Sequence, residues 1–348
     1  MRIVLAHSHP NTLGGGERAV LELAHGLAPR HDVRLLVGDY RPDRTYPELA
    51  TFPRRQVSTP GWLVHRVSDD VVVSNSFGAN LLSLRNGPRV VYWVHSVRSR
   101  FLMPGAWRPD LLLRRALDQV AVQRAARLVA NSRFTARRLR TLYGRGADAI
   151  VYPGVDLDLF RPQGGRGSYA VTVGRLSPEK GLDRLFQMWR GLPGVPLHVV
   201  GDGHPDQVRR LRALAPREAV FRGPLEPNQL ADAYRGAMFA VFTPYAEEFG
   251  IAPLEAMASG IPVIALCEGG LAESVVDGET GYLASDVPTF VDRAQLLAVD
   301  EELRRTLGAA ARAQAERFSW RTTVEAIERI CADVAAPISA QPAPVRRA

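Results

Sequence analysis

Cysteine is scarce in this sequence. The 348 residues contain only Cys267 and Cys331, and neither belongs to a Cys-x-x-Cys pair or to a cluster with histidine. Disulfide scaffolds and structural zinc sites need several such residues at short spacing, so the sequence argues against both. We therefore expect a chain that folds in a reducing, cytoplasmic environment and uses no metal.

Long uninterrupted apolar runs are also missing. The most apolar long stretch, residues 251–267, is broken by Glu255, Gly260 and Pro262, whereas a membrane-spanning helix needs about 18–20 apolar residues in a row. The apolar run at residues 3–6 is too short for the core of a signal peptide.

Glycine and proline together make up 55 residues, a share below that of low-complexity chains. At about 150 residues per domain, the length predicts a globular protein of about two domains.

Lysine is almost absent, and the basic charge is unevenly distributed. Lys180 is the sole lysine among 44 basic residues, and the net charge of +8 divides into +10 for residues 1–160 and −2 for residues 161–348. Fourteen arginines and only two acidic residues lie within residues 85–145, which we call the Arg-rich region. This region is either a solvated surface or an attraction site for anionic lipid headgroups or phosphate-bearing molecules.

Short β-branched runs alternate with amphipathic stretches, and this alternation occurs twice. The first series runs from a strand at residues 2–6 to a strand at residues 149–152, and the second from a strand at residues 170–173 to a helix at residues 320–334. Such alternation predicts an α/β protein with two doubly wound parallel sheets. Ligands bind at the carboxyl ends of the strands in such sheets, so we expect the functional residues to line a cleft between two domains.

The predicted domain boundaries follow changes in composition. Glycine, proline and aspartate become frequent after residue 152, as is typical of a linker. The resulting division is a first domain at residues 1–155, a linker at 156–168, a second domain at 169–318, a C-terminal helix at 319–334 and a disordered tail at 335–348.

The first charged segment of the second domain is Gly174–Gly181, which follows a predicted strand. It contains Arg175, a forked donor, and Lys180, a point charge, and both can reach one diphosphate from a turn. The alternative is a polar turn with a solvated lysine. Further along, Gly269 and Gly270 can bring the backbone close to a ligand.

The second charged segment carries two carboxylates, Glu247 and Glu255, eight residues apart. We expect a helix to begin near Gly250 between them. The N–H groups of a first helical turn have no partner within the helix and favour an anion. A carboxylate can accept hydrogen bonds from two neighbouring sugar hydroxyls. The segment therefore predicts a site for a sugar joined to phosphates, although Glu247 alone could simply be an acid that favours the helix dipole.

The first domain offers two weaker candidates. Gly14, Gly15 and Gly16 open its first helix and formally match a dinucleotide fingerprint, but seven residues separate them from the preceding strand. A helix start that binds an anion or a sugar is the favoured alternative, and a glycine-rich start with no ligand is the other. His95 ends a predicted strand at the rim of the expected cleft, where a lone histidine is usually structural.

Together these segments resemble the retaining GT-B glycosyltransferases of glycosyltransferase family 4, group 1. The resemblance covers roughly residues 2–334. In the second domain it is carried by residues 174–181, the E-x7-E segment 247–258, residues 269–273 and residues 277–281; in the first, by residues 14–18, His95, residues 130–134 and residues 152–156. It implies two Rossmann-like domains facing across a cleft, the first on the acceptor side and the second binding the nucleotide sugar.

The resemblance also implies a role for each candidate residue. Arg175 and Lys180 would hold the donor diphosphate, and Glu255 would hold the ribose. Glu247 would contact the hydroxyls of the donor sugar, and His95 would face the transferred sugar. The catalytic residues are thus His95, Glu247, Arg175 and Lys180. The implied donor-binding set is Gly14, Gly15, Arg175, Lys180, Gly223, Leu225, Glu247, Phe249, Gly250, Ile251, Ala252 and Glu255. No metal or other cofactor would be obligatory.

Within this family, the segments around His95 and Glu247 are most similar to mannosyltransferases of O-antigen and lipid-linked oligosaccharide pathways. This similarity implies GDP-mannose as the donor and a glycan or lipid-linked sugar as the acceptor. Val97 stands where those enzymes often carry proline, so a UDP-hexose donor stays open. A sugar-nucleotide epimerase of the same fold is a weaker alternative.

The composition of the Arg-rich region indicates which partners the protein could bind. Leu111–Leu113, Leu117 and Val120 beside several arginines allow a helix that lies on an anionic membrane, so peripheral membrane contact is a further expectation. A nucleic-acid partner is not expected, because few aromatic residues are interleaved with the arginines.

Overall fold

The computed structural model describes residues 1–58, 60–97, 109–165 and 167–336. These residues form two compact units. Unit 1 combines Met1–Tyr152 with the segment from Arg321 onward, and unit 2 is Pro153–Trp320. Residues 337–348 of the predicted tail, and residues 98–108 of the segment after His95, lie outside the described residues.

Unit 1 is built on a parallel sheet. Its seven described strands are β1 (Arg2–His7), β2 (Asp32–Val37), β3 (Arg54–Gln56), β4 (Val71–Ser74), β5 (Val90–Val94), β6 (Arg127–Ala130) and β7 (Ala149–Ile150). Their order is β3-β2-β1-β4-β5-β6-β7, and all neighbours run parallel. The helices of this part of the chain are α1 (Gly15–Leu27), α2 (Gly61–Val64), α3 (Ser83–Asn86), α4 (Pro109–Arg124) and α5 (Arg133–Tyr143).

Unit 2 repeats this plan. Its six described strands are β8 (Tyr169–Val173), β9 (Leu197–Val200), β10 (Ala219–Gly223), β11 (Ala237–Phe242), β12 (Val263–Leu266) and β13 (Gly281–Ala284). Their order is β10-β9-β8-β11-β12-β13, again parallel throughout. The helices are α6 (Leu182–Trp189), α7 (Pro205–Leu214), α8 (Pro227–Arg235), α9 (Ile251–Ala258), α10 (Val287–Val299) and α11 (Glu301–Ala315).

The sequence accounts locally for these elements. All five residues of β5 are buried, as expected for an inner strand of a parallel sheet with both faces covered. Helix α5 begins at a side-chain cap, where Ser132 Oγ accepts the N–H of Thr135 at 2.9 Å. It ends at Gly144, which has a φ of +65°. In unit 2, Trp189 packs fully buried within the hydrophobic core.

The last described helix, α12 (Trp320–Ala335), supplies the C-terminal segment of unit 1. The carboxylate of Glu328 lies 2.7 Å from Arg30 Nη2 and 2.7 Å from His31 Nε2, so one side chain joins α12 to the segment between α1 and β2. The hydrogen bond from Arg30 is the main reason that the pKa of Glu328 falls to about 2. Burial raises the pKa of the neighbouring Cys331 thiol to about 12, which keeps the thiol protonated.

The predicted fold class is confirmed: both halves are parallel-sheet α/β domains. Two strands were missed. Strand β13 falls in a stretch that the sequence presents as turns, because Gly278 and Gly281 precede or open it. Strand β3 has three exposed residues and carries no apolar pattern to reveal it. Within the described residues, no helix is long and apolar enough to cross a membrane.

Candidate active site

Each sheet reverses its strand order at one pair of neighbours, β1/β4 in unit 1 and β8/β11 in unit 2. Connections leave such a switch point toward opposite faces, so a crevice opens at the carboxyl ends of the two strands. In unit 2 the segments that follow these strands are residues 174–181 and 243–250. The two charged segments singled out from sequence therefore meet at one switch point.

An ion pair spans the switch point of unit 2. Lys180 Nζ lies 2.6 Å from Glu247 Oε2, and the two side chains are 27% and 19% exposed. Gly181 makes this approach possible: its φ is +64°, and a Cβ there would lie 2.0 Å from the carbonyl oxygen of Thr243. The lysine turn thus packs directly against the loop that carries Glu247.

The main chain at Glu247 is held in an unusual shape. Ala246 has a φ of +52°, a left-handed conformation that residues with a Cβ seldom adopt. The N–H of Gly270 donates to the carbonyl oxygen of Glu247 at 2.7 Å, and a Cβ on Gly269 would lie 2.2 Å from the same oxygen. The backbone of the glycine pair thus lies against the backbone of Glu247, whereas the sequence suggested that it would approach a ligand. Such local strain persists where surrounding contacts enforce it.

Arg184 on α6 braces the same loop. Its Nε donates to the carbonyl oxygen of Thr243 at 2.7 Å, and its Nη1 lies 2.8 Å from Glu268 Oε1. The guanidinium also lies 3.9 Å from the centre of the Tyr245 ring, a cation–π contact. Arg184 is not recognisable from the sequence, because an arginine on a helix normally points to solvent and no local pattern marks it.

Helix α9 begins where the sequence places it. Gly250 is the residue before the helix and has a φ of +89°, and Pro253 occupies the first turn. The first N–H groups of α9 have no partner within the helix, and the helix dipole favours a negative group there. The side chain of Phe249 is buried and packs against Phe318, so only its backbone can take part in binding a ligand.

The second carboxylate, Glu255, lies within α9 and contacts a buried tyrosine. Tyr234 Oη is 3.1 Å from Glu255 Oε2 and 3.1 Å from the carbonyl oxygen of Ala252. Burial and the neighbouring carboxylate raise the pKa of Tyr234 well above its usual value, so the phenol stays a donor. Tyr234 was also missed, because a tyrosine at an inward position of a helix is typical of a core residue.

A polar cluster occupies the switch point of unit 1. His7 Nδ1 is hydrogen-bonded to Asn75 Oδ1 at 2.6 Å, and Thr12 Oγ1 donates to Glu17 Oε1 at 2.8 Å. Burial opposes ionisation of Glu17, but the bonds from His7 and Thr12 outweigh it and lower the pKa of the carboxyl. A Cβ on Gly14 would lie 2.7 Å from Glu17 Oε2, so the glycine at the start of α1 makes room for this carboxylate.

His95 follows β5 in unit 1. Its ring lies edge-on to Trp93 with centroids 4.2 Å apart, and its Nε2 atom is buried without a hydrogen-bond partner among the described residues. Burial, with a smaller effect from His7, lowers the pKa of His95 to about 3. The ring is therefore neutral at physiological pH and has an unused polar atom.

Two family models match the chain. "Glycosyltransferase Family 4" matches residues 13–159, and "Glycosyl transferases group 1" matches residues 162–314. The chain belongs to the family 4, group 1 glycosyltransferases. A D-inositol 3-phosphate glycosyltransferase of Mycolicibacterium smegmatis is 34% identical over 246 residues, which are 63% of this chain and 55% of that protein. The chain thus spans about half the length of the curated relatives that it matches.

Solved structures share the fold. Sucrose-phosphate synthase from Thermosynechococcus elongatus has a TM-score of 0.81 at 21% identity, covering 95% of this chain and 98% of that one. HepE from Anabaena, in complex with UDP-glucose, has a TM-score of 0.79 at 20% identity, covering 95% and 99%. These likenesses establish the GT-B fold class for this family member.

The remaining predicted donor-site residues of this glycosyltransferase family member are dispersed. Arg175 is 62% exposed and pairs with Glu179 at 3.4 Å, so it lies at the outer side of the lysine turn. Gly223 ends β10 with a φ of +71° and open space where a side chain would be. Leu225 and Tyr169 belong to the lining of a cavity of about 360 Å³ between β8–β10 and α8. Gly15 is the first residue of α1.

Several arginines of the Arg-rich region are exposed on the helices of this family member. On α4, Arg114 and Arg115 face solvent beside Leu112 and Leu113, which are 48% and 62% exposed. On α5, Arg137 lines a cavity of about 290 Å³. Over the described residues, no group of three or more His, Cys, Asp or Glu side chains is placed to hold a metal ion.

Proposed function

We propose that the protein transfers a hexosyl group from a nucleoside diphosphate sugar to an acceptor hydroxyl, with retention of anomeric configuration. The observation that carries this proposal is the Lys180–Glu247 pair in the loops beside the N-terminus of α9. A cation and unpaired helical N–H groups attract the donor phosphates. They also stabilise the charge that develops on the diphosphate as its bond to the sugar breaks.

Each carboxylate has a separate task in this proposal. When a diphosphate takes up Lys180, Glu247 leaves the ion pair and accepts hydrogen bonds from sugar hydroxyls. Glu255 accepts hydrogen bonds from the ribose, one to two turns into α9. The exposed Arg175 turns toward the phosphates as a forked donor.

His95 serves the transferred sugar. Its low pKa keeps the ring neutral, so it contributes a hydrogen bond and no charge next to the reacting carbon. Gly14 and Gly15 allow the sugar and the acceptor to approach the backbone at the start of α1. The bond between the sugar C1 and the diphosphate oxygen breaks, the acceptor oxygen forms the new bond to C1 on the same face, and the proton of the acceptor hydroxyl passes to the departing diphosphate.

The nucleotide is the first point to test. GDP-mannose is the donor that the sequence favours, and a UDP-hexose is the alternative; HepE, which shares the fold, was crystallised with UDP and with UDP-glucose. Isothermal calorimetry with GDP and UDP separates the two. Preference for GDP supports mannosyl transfer, preference for UDP replaces mannose by another hexose, and binding of neither by folded protein rejects the donor site.

Turnover tests the reaction itself. We expect Glu255→Ala to abolish transfer of labelled sugar, because the ribose loses its carboxylate, while Glu302→Gln keeps wild-type activity. Glu302 is the control, since it is a carboxylate of unit 2 that pairs with Arg305 on α11 and is 72% exposed. Full activity of Glu255→Ala contradicts the proposal. Labelled sugar that is altered but never joined to an acceptor indicates an epimerase instead.

We propose that the acceptor carries a phosphate group. The supporting observations are the exposed arginines of α4 and α5 and the name of the relatives, which act on D-inositol 3-phosphate. One guanidinium group can donate two parallel hydrogen bonds to the oxygens of one phosphate group. Product formation with inositol phosphate, compared with unphosphorylated inositol and a mannose-containing glycan, tests this point. A product with inositol or the glycan alone contradicts a phosphate requirement.

We also propose that the exposed side chains of α4 contact an anionic membrane. Leu112 and Leu113 are exposed on α4 beside Arg114 and Arg115, the composition of a helix that lies in a lipid interface. We expect sedimentation with phosphatidylglycerol vesicles at low salt, and its loss in a Leu112→Ser, Leu113→Ser double variant. Val299→Ser, at a residue that is 82% exposed in unit 2, is the control. No binding by the wild type removes the membrane proposal.

A further inference from the structure

We infer that Tyr234 is a positioning residue for Glu255 and thereby sets how strongly the site distinguishes a ribonucleotide from a deoxyribonucleotide. The inference rests on the proposed function, in which Glu255 holds the ribose of the donor. Tyr234 does not touch the donor in this arrangement. It acts through the carboxylate, and its hydroxyl is the group on which the inference depends.

The geometry places the phenol between two acceptors of α9. Tyr234 Oη lies 3.1 Å from Glu255 Oε2 and 3.1 Å from the carbonyl oxygen of Ala252. A phenol has a single proton to donate, and a bond to an ionised carboxylate is about twice as strong as one to a neutral carbonyl. The proton therefore points mainly at Glu255.

The tyrosine itself has little freedom to move. Its side chain is completely buried, and its ring meets Phe160 edge to face with centroids 5.8 Å apart. A tyrosine has only two side-chain torsions, and both are fixed by this packing. The hydroxyl is therefore a rigid reference point, held by α8, for a carboxylate on the neighbouring helix α9.

A carboxylate with a fixed orientation distinguishes a ribonucleotide from a deoxyribonucleotide better than a mobile carboxylate does. An ionised carboxylate has about four acceptor positions, and the phenol occupies one of them. The bond restricts the rotation of the Glu255 carboxylate, so the direction in which it accepts a sugar hydroxyl is set before the nucleotide arrives. Without the phenol, Glu255 loses a charge-assisted bond and gains rotamers, and part of the binding energy of the ribose is used to order it.

A purely structural role is the competing explanation. Through the carbonyl oxygen of Ala252, the phenol also joins α8 to the first turn of α9. If that were its whole contribution, Tyr234→Phe would lower the melting temperature and weaken every nucleotide equally. Discrimination between ribose and deoxyribose would then be unchanged, and this difference separates the two roles.

The test is a thermodynamic cycle measured by calorimetry. UDP and GDP are compared with their 2′-deoxy and 3′-deoxy forms on the wild type, on Tyr234→Phe and on Tyr143→Phe. Tyr143 is the matched control, because its hydroxyl lies 2.5 Å from Asp118 Oδ2 and is also buried against a carboxylate, but belongs to unit 1. Both variants delete one oxygen and create no new group.

We expect Tyr234→Phe to weaken the preferred ribonucleotide by roughly tenfold, the usual effect of losing a hydrogen bond to a charged group. The affinity ratio between ribonucleotide and deoxynucleotide should shrink at least threefold. In turnover, the donor KM should rise while kcat stays within twofold of the wild type. Tyr143→Phe should leave the ratio and both kinetic constants unchanged.

The outcomes remain distinguishable. A Tyr234→Phe protein that folds and keeps the wild-type ratio for both deoxy forms overturns the inference, even if its affinity for all nucleotides falls. A wild type that binds neither UDP nor GDP overturns the proposed function instead. If Tyr234→Phe fails to fold, Phe160→Leu provides the second measurement: it removes the ring that packs against Tyr234 and leaves both Tyr234 and Glu255 in place, so a ratio equal to the wild type overturns the inference.

Discussion

Lys180 Nζ and Glu247 Oε2 lie 2.6 Å apart, although 67 residues separate them in the sequence. The pair joins the two loops that leave the switch point of the second sheet, after β8 and after β11. Each residue neutralises the charge of the other, and both side chains remain partly exposed. A diphosphate that arrives there can replace the carboxylate as the partner of the lysine.

This pair leads to the first prediction. Lys180→Ala should lower kcat/KM by roughly 100- to 1,000-fold, the usual loss when one group that stabilises transition-state charge is removed. Lys180→Arg should recover part of it, because the charge returns with a different shape. Initial rates with the preferred nucleotide sugar measure both. Arg305→Ala, at an exposed arginine that pairs with Glu302, is the control; kcat/KM of Lys180→Ala within threefold of the wild type contradicts the role.

The glycine beside Lys180 gives a prediction about stability. Gly181→Ala would place a Cβ 2.0 Å from the carbonyl oxygen of Thr243 at a φ of +64°. We expect a loss of about 2–4 kcal/mol in the free energy of unfolding from overpacking and left-handed strain together. Gly194→Ala isolates the strain, since Gly194 has a φ of +81° and nothing within 4 Å. Urea titrations of the two variants should differ by at least 1 kcal/mol; equal losses would refute the close contact.

His95 predicts a pH dependence of stability. Its pKa is about 3 in the folded protein against 6.5 for the free side chain, so the unfolded chain binds an extra proton between these values. The contribution of His95 to stability is therefore present above pH 6.5 and is lost as the pH falls toward 3. The free energy of unfolding should fall less steeply with decreasing pH in His95→Gln, by up to about 1.4 kcal/mol per pH unit.

Urea titrations at several pH values between neutral and acidic measure this slope. His204→Gln is the control, since the side chain of His204 is 76% exposed. A His95→Gln protein whose slope matches that of the wild type would show that the ring is protonated in the folded state.

The contact of Glu328 with Arg30 and His31 predicts an effect in a lower pH window. The pKa of Glu328 is lowered to about 2 from 4.5, so its stabilising contribution is complete above pH 4.5 and disappears as the pH falls through 2. Glu328→Gln should lower the free energy of unfolding at neutral pH by about 1–2 kcal/mol, because one carboxylate serves both Arg30 and His31.

Glu325→Gln is the matched control for this effect. Glu325 lies on the same helix and pairs with Arg321 four residues earlier, with its side chain 52% exposed. An exposed pair of this kind contributes about 0.3–0.5 kcal/mol. Equal effects of the two substitutions on the thermal midpoint at neutral pH would contradict a special role for Glu328.

The sequence was sufficient for the architecture and for much of the candidate site. Alternating apolar patterns are local, so the doubly wound sheets and the start of α9 near Gly250 followed from them. Residues of a recognisable chemical type within a local motif, such as Lys180 and Glu247, could be singled out as candidates, and the structure brings these two side chains together. Strand β13 was missed because glycine favours turns unless tertiary pairing overrides that preference.

What the sequence determined by itself is the order of the elements, the charge of each segment and the residue types at the ends of the strands, because these depend on neighbours in the chain. Which side chains meet was decided by the tertiary structure. Tyr234 reaches Glu255 only because α8 packs beside α9, and Gly269 supports Glu247 only because the loops after the neighbouring strands β11 and β12 lie side by side. Contacts between residues far apart in the chain arise from packing, and no local pattern encodes them.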